Sequence, residues 1–237
     1  MAPGDGPTVA LIHATPAAMA PAVAAFGERF PEAGLWHLLD DRLVSDAERA
    51  GGLVPPLRRR MLSLIGHAVA GGADGVLLTC SMYGPVARLA AQLWDRPVAG
   101  SDEAMYERVA AERPARVAVL GSLETAVADS ADRLRGALAD GGPAEAGGRG
   151  SGLGTEVVGV LCPGAAAAAS AGDGAALLAS LRSAAEPLAG EVDLFLLGQY
   201  SLTPARAGLQ AALRVPVWSP PHVAADVLAR RLHPAGP

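Results

Sequence analysis

Short, uninterrupted apolar runs alternate along the chain with longer stretches in which apolar residues recur at helical spacing. Val9–Ile12, Leu35–Leu39, Gly75–Thr79 and Pro97–Ala99 read as strands, with helices at Ala17–Phe30, Leu57–Ala70 and Val86–Trp94 between them. The strands are apolar throughout instead of alternating, which means burial on both faces: a parallel sheet covered by helices. The pattern then restarts. Val117–Leu120, Glu156–Leu161, Asp193–Leu197 and Val215–Trp218 read as strands. Helices are expected at about Thr125–Leu138, Ala175–Leu188, Pro204–Leu213 and Val223–Leu232. Gly141–Gly154 is Gly-rich and polar and reads as a flexible loop; Ala165–Ala169 is a low-complexity run.

The two halves overlay. Asp74-Gly-Val-Leu-Leu-Thr-Cys80 matches Asp193-Leu-Phe-Leu-Leu-Gly-Gln199, and with no gap Pro85 falls on Pro204 and Pro97-Val98 on Pro216-Val217. Val9–Ile12 falls on Val117–Leu120. An aspartate and two prolines in register with a strand point to an internal duplication. The expected architecture is α/β: two pseudo-symmetric parallel-sheet lobes facing a central cleft. One lobe would span 1–112 plus about 214–237, the other about 113–213. Ligands of parallel sheets sit at the carboxyl ends of the strands. Site candidates are therefore His13 to Thr15, Asp40 to Arg42, Thr79 to Ser81, Ser122 to Thr125, Cys162, and Gln199 to Ser201.

Composition narrows the chemistry. The 237 residues are 51% hydrophobic and 18% charged, enough to bury a sizeable core, and the net charge of -5 argues against a nucleic-acid-binding surface. The sequence has no Lys, which removes a lysine Schiff base and a Walker-A lysine; GxGxxG, GxxxxGK[ST] and GxSxG are absent as well. Scattered histidines and two distant cysteines, Cys80 and Cys162, form neither a metal-ligand spacing nor a disulfide framework. No signal peptide or membrane-length apolar run is read, so a reduced, cytoplasmic protein is expected.

Gly75-Val-Leu-Leu-Thr79-Cys80-Ser81, Pro97-Val98, Arg116-Val-Ala-Val-Leu-Gly121-Ser122-Leu-Glu-Thr125 and Asp193-Leu-Phe-Leu-Leu-Gly198-Gln199 occur in an order and spacing that resemble the aspartate/glutamate racemase superfamily. That group includes hydantoin racemase, maleate isomerase and arylmalonate decarboxylase. The resemblance covers residues 8 to about 230. It implies two lobes, no cofactor or metal, a small carboxylate or related carbonyl acid as substrate, and an enzyme that often forms a homodimer. It also implies one cysteine after the third strand of each lobe, on opposite faces of a carbon next to a carboxylate. A thiolate is a competent base when its pKa is pulled toward neutrality, and hydroxyls and backbone N–H groups can hold the enediolate oxygens.

The sequence departs from that pattern at one decisive place. Cys80 matches the first-lobe cysteine, whereas Gln199 stands at the second-lobe position, and glutamine is neither acid nor base near neutral pH. Cys80 is expected as the main acid/base, with the plain alternative of a small buried thiol. Gln199 is either a substrate-amide or carboxylate donor or a filler. Tyr200 is either an acid on the second face or a half-buried ring. Cys162 is either a second thiol at the cleft or a buried small hydrophobe. His13 is either a general base or donor or a turn histidine, and His37, inside the second strand, is expected to pack. Thr79, Ser81, Ser122 and Thr125 are expected to hold oxyanions, with Thr15 and Ser201 as further substrate contacts. The function expected is a cofactor-independent racemase or isomerase. A single-cysteine decarboxylase or lyase and a non-catalytic carboxylate-binding protein are the alternatives.

Overall fold

The computed structural model describes residues 6–140 and 154–233. The expected loop at 141–154 therefore lies outside the described residues except for its last position. The chain divides into two compact units. One takes the described residues up to Ala104 together with those from Pro221 onward; the other is Met105–Pro220.

The first unit is built from β1 (Thr8–His13), α1 (Met19–Arg29), β2 (Gly34–Leu39), α2 (Leu43–Arg49), α3 (Pro55–Ala70), β3 (Gly75–Leu78), α4 (Gly84–Ala90) and β4 (Val98–Ala99). Its sheet has the order β2-β1-β3-β4 and every pairing is parallel. One face carries Ala10, Ile12, Val76 and Leu78, which pack into a core with Leu43, Met61, Ile65, Tyr83 and Val86. α3 shows why the segment is helical. Proline occupies its first turn, where the missing N–H costs nothing, and Leu57, Met61, Ile65 and Ala68 repeat along one buried stripe. Gly71 and Gly72 follow it, the latter at φ +92°, and the chain turns back into β3.

α5 (Glu103–Glu112) lies across the division between the units. The second unit continues with β5 (Arg116–Gly121), α6 (Glu124–Asp140), β6 (Glu156–Leu161), α7 (Ala165–Ala171), α8 (Gly174–Ala185), β7 (Leu194–Leu197), α9 (Arg206–Leu213) and β8 (Val217–Trp218). Its sheet order, β6-β5-β7-β8, repeats that of the first, again all parallel. α10 (Pro220–Leu232) returns the chain to the first unit, where Leu228 and Leu232 lie over Gly75. No described helix is long and apolar enough to cross a membrane.

Three helices carry no clear sequence signal. α2 and α5 are short and mixed in polarity, and α7 is the alanine run, closed at both ends by left-handed glycines, Gly164 (φ +82°) and Gly172 (φ +68°). Two expected helices start or stop elsewhere. The one expected at Val86–Trp94 is α4, ending at Ala90, and the one expected from Pro204 begins as a 3-10 stretch, Tyr200–Ala205, before α9.

The duplication extends to individual hydrogen bonds. The Asp74 carboxylate accepts from the Thr8 N–H (2.9 Å) while the Asp74 N–H donates to Thr8 O (2.8 Å). Asp193 makes the same reciprocal clasp with Arg116, both bonds at 2.9 Å. Each clasp ties the start of the third strand of its unit to the start of the first. Asp193→Ala is expected to lower stability by about 1 kcal/mol, the typical net worth of one intramolecular hydrogen bond. Urea unfolding checks this; an unchanged midpoint would show that the clasp contributes nothing.

Candidate active site

In each unit the parallel strands deliver their carboxyl ends to one edge of the sheet, where the turns carry the chemistry. In the first unit β3 ends at Leu78, and the backbone stays extended through Cys80 (φ -118°, ψ 120°) before a 3-10 turn, Ser81–Tyr83. The Tyr83 N–H donates to Cys80 O (3.1 Å). Cys80 and Ser81 are half-buried. Tyr83 is fully buried, and its hydroxyl donates to Leu43 O (3.1 Å), which anchors the turn against α2. Burial, then the neighbouring Cys80 and Asp40, push the Tyr83 phenol up to about 12, so it stays a hydrogen-bond donor. Behind it Arg60 clamps Asp40 (2.6 Å) and Asp46 (2.8 Å).

On the opposite face of the same sheet lies a polar chain. His13 is fully buried; its Nδ1 is 3.0 Å from Thr79 Oγ1 and its Nε2 is 2.9 Å from His37 Nδ1. The Thr79 hydroxyl donates to Ile12 O (3.3 Å). That direction sets the rest: His13 Nδ1–H donates to Thr79, and its bare Nε2 accepts from His37 Nδ1–H. The two imidazoles also stack, with centroids 5.2 Å apart. Burial, reinforced by His37, lowers the His13 pKa to about 4, so the ring is neutral. Thr79, expected as an oxyanion holder, has its hydroxyl turned into this chain and is 5% exposed. His37 does more than pack, and only its register beside β1 signals it, since Leu11 pairs with His37 and His13 with Leu39. Thr15 is half-buried where β1 gives way to the next turn. At the end of β4 the buried Ser101 donates to Asp102 (2.6 Å), a pair that no motif in the sequence signals.

In the second unit the Gln199 Oε1 accepts from both the N–H (2.9 Å) and the hydroxyl (2.8 Å) of Ser122, 77 residues away in the chain. Two donors on one oxygen fix the amide's orientation and leave its NH2 as the remaining donor. Tyr200 is buried and Ser201 half-buried on the 3-10 stretch that follows. Thr125 is exposed on the first turn of α6, and no contact joins it to the Ser122–Gln199 pair among the described residues. Cys162 is fully buried in the apolar core beside Ala165, Leu177 and Leu181. Burial pushes its thiol up to about 11, against a smaller lowering by the backbone of Gly121, so it stays protonated at neutral pH. Among the described residues no group of three or more metal-ligating side chains occurs.

His13 predicts a pH effect on stability. An unfolded His takes up a proton near pH 6.5, while the folded ring resists it down to about pH 4. The folded state therefore binds fewer protons across that window, and stability falls as the pH drops through it. Between pH 7 and pH 5 the loss from this group is about 2 kcal/mol. Urea unfolding at both pH values should show that His13→Asn removes about that much of the pH dependence; an identical dependence in the variant would contradict it.

The Asp/Glu/hydantoin racemase family model matches residues 49–228. No curated protein matches the chain. Among solved structures, the allantoin racemase from Klebsiella pneumoniae superposes with a TM-score of 0.67 at 17% identity, covering 94% of this chain and 86% of that one. The aspartate racemase of Picrophilus torridus gives 0.66 at 13% identity, over 96% and 94%. A glutamate racemase isoform from Bacillus anthracis gives 0.63 at 16% identity, over 95% and 81%. At such identities these likenesses speak to the fold, two α/β units each on a four-stranded parallel sheet. The family match covers most of the chain, and on it this protein belongs to the Asp/Glu/hydantoin racemase family.

Proposed function

We propose that the chain is a cofactor-independent isomerase-type enzyme that moves a proton at a carbon next to a carboxylate, with Cys80 as its principal acid/base. The observation that carries this reading is the contrast between its thiols. Cys80 is half-exposed on a strand-end turn anchored by a buried tyrosine, whereas Cys162 is sealed in an apolar core. A carbon acid beside a carboxylate gives up its proton only to a well-placed base and only if the enediolate is stabilised. The Cys80 thiolate takes the proton, and the resulting S–H returns it. The Ser81 hydroxyl and backbone N–H groups at the strand-end turns supply oxyanion donors. Ser122 acts through Gln199, whose remaining NH2 is a neutral donor suited to a carboxylate oxygen.

The position equivalent to Cys80 in the second unit is Gln199, and the other thiol, Cys162 after β6, is buried, so Cys80 is the one half-exposed strand-end thiol. That observation favours a second reading, a one-thiol decarboxylase. There the carbon–carboxylate bond breaks, CO2 leaves with no electrons from the bond, and the enediolate left behind takes one proton from the Cys80 S–H.

Purified protein in D2O with aspartate, glutamate, hydrophobic amino acids, hydantoins, maleate and arylmalonates, followed by proton NMR, tests both. Loss of an α-proton signal that Cys80→Ala slows by about a hundredfold or more supports the proton-transfer reading. Release of CO2 moves the assignment to decarboxylase. No reaction with any substrate class, despite saturable binding, would overturn both in favour of a carboxylate-binding protein. Gln199→Cys is expected to raise racemisation by adding a second acid/base, read by chiral chromatography; a fall instead would show that losing the amide donor outweighs the added thiol.

A further inference from the structure

The His37–His13–Thr79 chain has no counterpart in the second unit, and what replaces it is informative. Strand register equates His13 with Gly121 and His37 with Gly159, and the bonds from Thr79 N to Ile12 O and from Gly198 N to Leu120 O equate Thr79 with Gly198. Three hydrogen-bonded side chains in one unit are three glycines in the other. There α6 has closed onto the sheet: a Cβ on Gly121 or on Gly159 would lie 2.6 Å from Val127, and one on Gly198 would lie 3.1 Å from Leu120 O. The second sheet thus forms with no polar side chain of its own at these three positions. The fold does not need this polar chain, which is present only in the unit that carries the half-exposed thiol.

The second unit also shows where the side chain at the thiol's position goes. Gln199, equivalent to Cys80, accepts the N–H of Ser122, and the residue equivalent to Ser122 is Ala14. We propose that His13, through Thr79, is a positioning residue that locks the end of β1 to the end of β3 so that the Ala14 N–H is held toward the Cys80 sulfur and stabilises its thiolate. The Thr79 hydroxyl joins Ile12 O to His13 at the residues immediately before Ala14 and Cys80, and His37 keeps the His13 Nε2 occupied so that Nδ1 is the donor. A hydrogen bond to the charged form of a thiol favours that form. The other ionisable groups around this turn are Tyr83 on the turn itself, Asp40 before α2 and Asp46 on it, Arg60 on α3, Asp102 just after β4, and Glu103, paired with Arg88, against Gly84. None belongs to the histidine chain. The proposal rests on the acid/base role assigned to Cys80.

Iodoacetamide alkylation followed by mass spectrometry across about pH 6 to about 9 tests it without any substrate. The folded wild type should modify one thiol, with buried Cys162 reporting unfolding if it reacts too. His13→Ala and Thr79→Val should each slow Cys80 alkylation at pH 7 about tenfold and move its half-maximal pH up by about one unit. The double variant should be no worse than either alone. His13→Asn, whose amide nitrogen takes the place of Nδ1, should stay within about twofold, while His13→Gln, which reaches His37 but not Thr79, should behave like His13→Ala. If the alanine and valine variants unfold, the Asn and Gln pair decides. Unchanged profiles in the folded variants, or identical behaviour of Asn and Gln, would overturn the proposal. Cys80-dependent exchange together with flat alkylation profiles would sink the positioning role alone; shifted profiles with no exchange would sink the catalytic reading alone.

Discussion

Burial of both faces of a parallel sheet is the constraint on which the rest depends. Strands such as Val76–Leu78 and Leu194–Leu197 have no polar face, so helices must cover both sides and every crossover must return the chain to the same end of the sheet. With the exception of His37 inside the edge strand β2, polar groups then gather mostly where the strands stop. That is where Cys80, Ser81, Asp102, Ser122 and Gln199 all lie. The division of labour follows from it: apolar strands and helix stripes hold the fold, and the strand-end turns are free to differ.

The two units show how far they have differed. Sheet order, strand register and the aspartate clasps at the strand starts are the same in both. The differences gather at the other end of the strands. One unit has a half-exposed thiol backed by two histidines and a threonine; the other has an amide tied to a serine and backed by glycines. The scaffold keeps its pairing in both units and changes several side chains together at its strand ends. Membership of the Asp/Glu/hydantoin racemase family gives that chemistry its class, and within this chain Gln199 stands where the first unit has Cys80.

Strand positions were legible in the sequence because a buried parallel strand must be apolar over its whole length, and so was the equivalence of Cys80 with Gln199, carried by the aspartate and prolines in register. The helices α2, α5 and α7 were not, since none has a long amphipathic repeat and α7 owes its ends to backbone glycines. Within the site, the roles hidden from sequence are those that depend on distant partners. The Ser122–Gln199 bonds span 77 residues and the His13–Thr79 bond spans 66, and nothing local in either segment announces them. A histidine inside a strand reads as packing; only β1–β2 register brings His37 to His13. Thr79 was legible as a strand-end hydroxyl, but the alternation of side chains along β3 turns it to the face opposite Cys80.

The central claim is that a single thiol performs the proton transfer, and the stereochemistry of isotope exchange addresses it most directly. One enantiomer of a turned-over substrate in D2O, sampled early, should gain deuterium at the carbon next to the carboxylate while keeping its configuration, with exchange outrunning inversion. Deuterium appearing from the outset in both enantiomers at equal rates would reveal a second base and contradict the account.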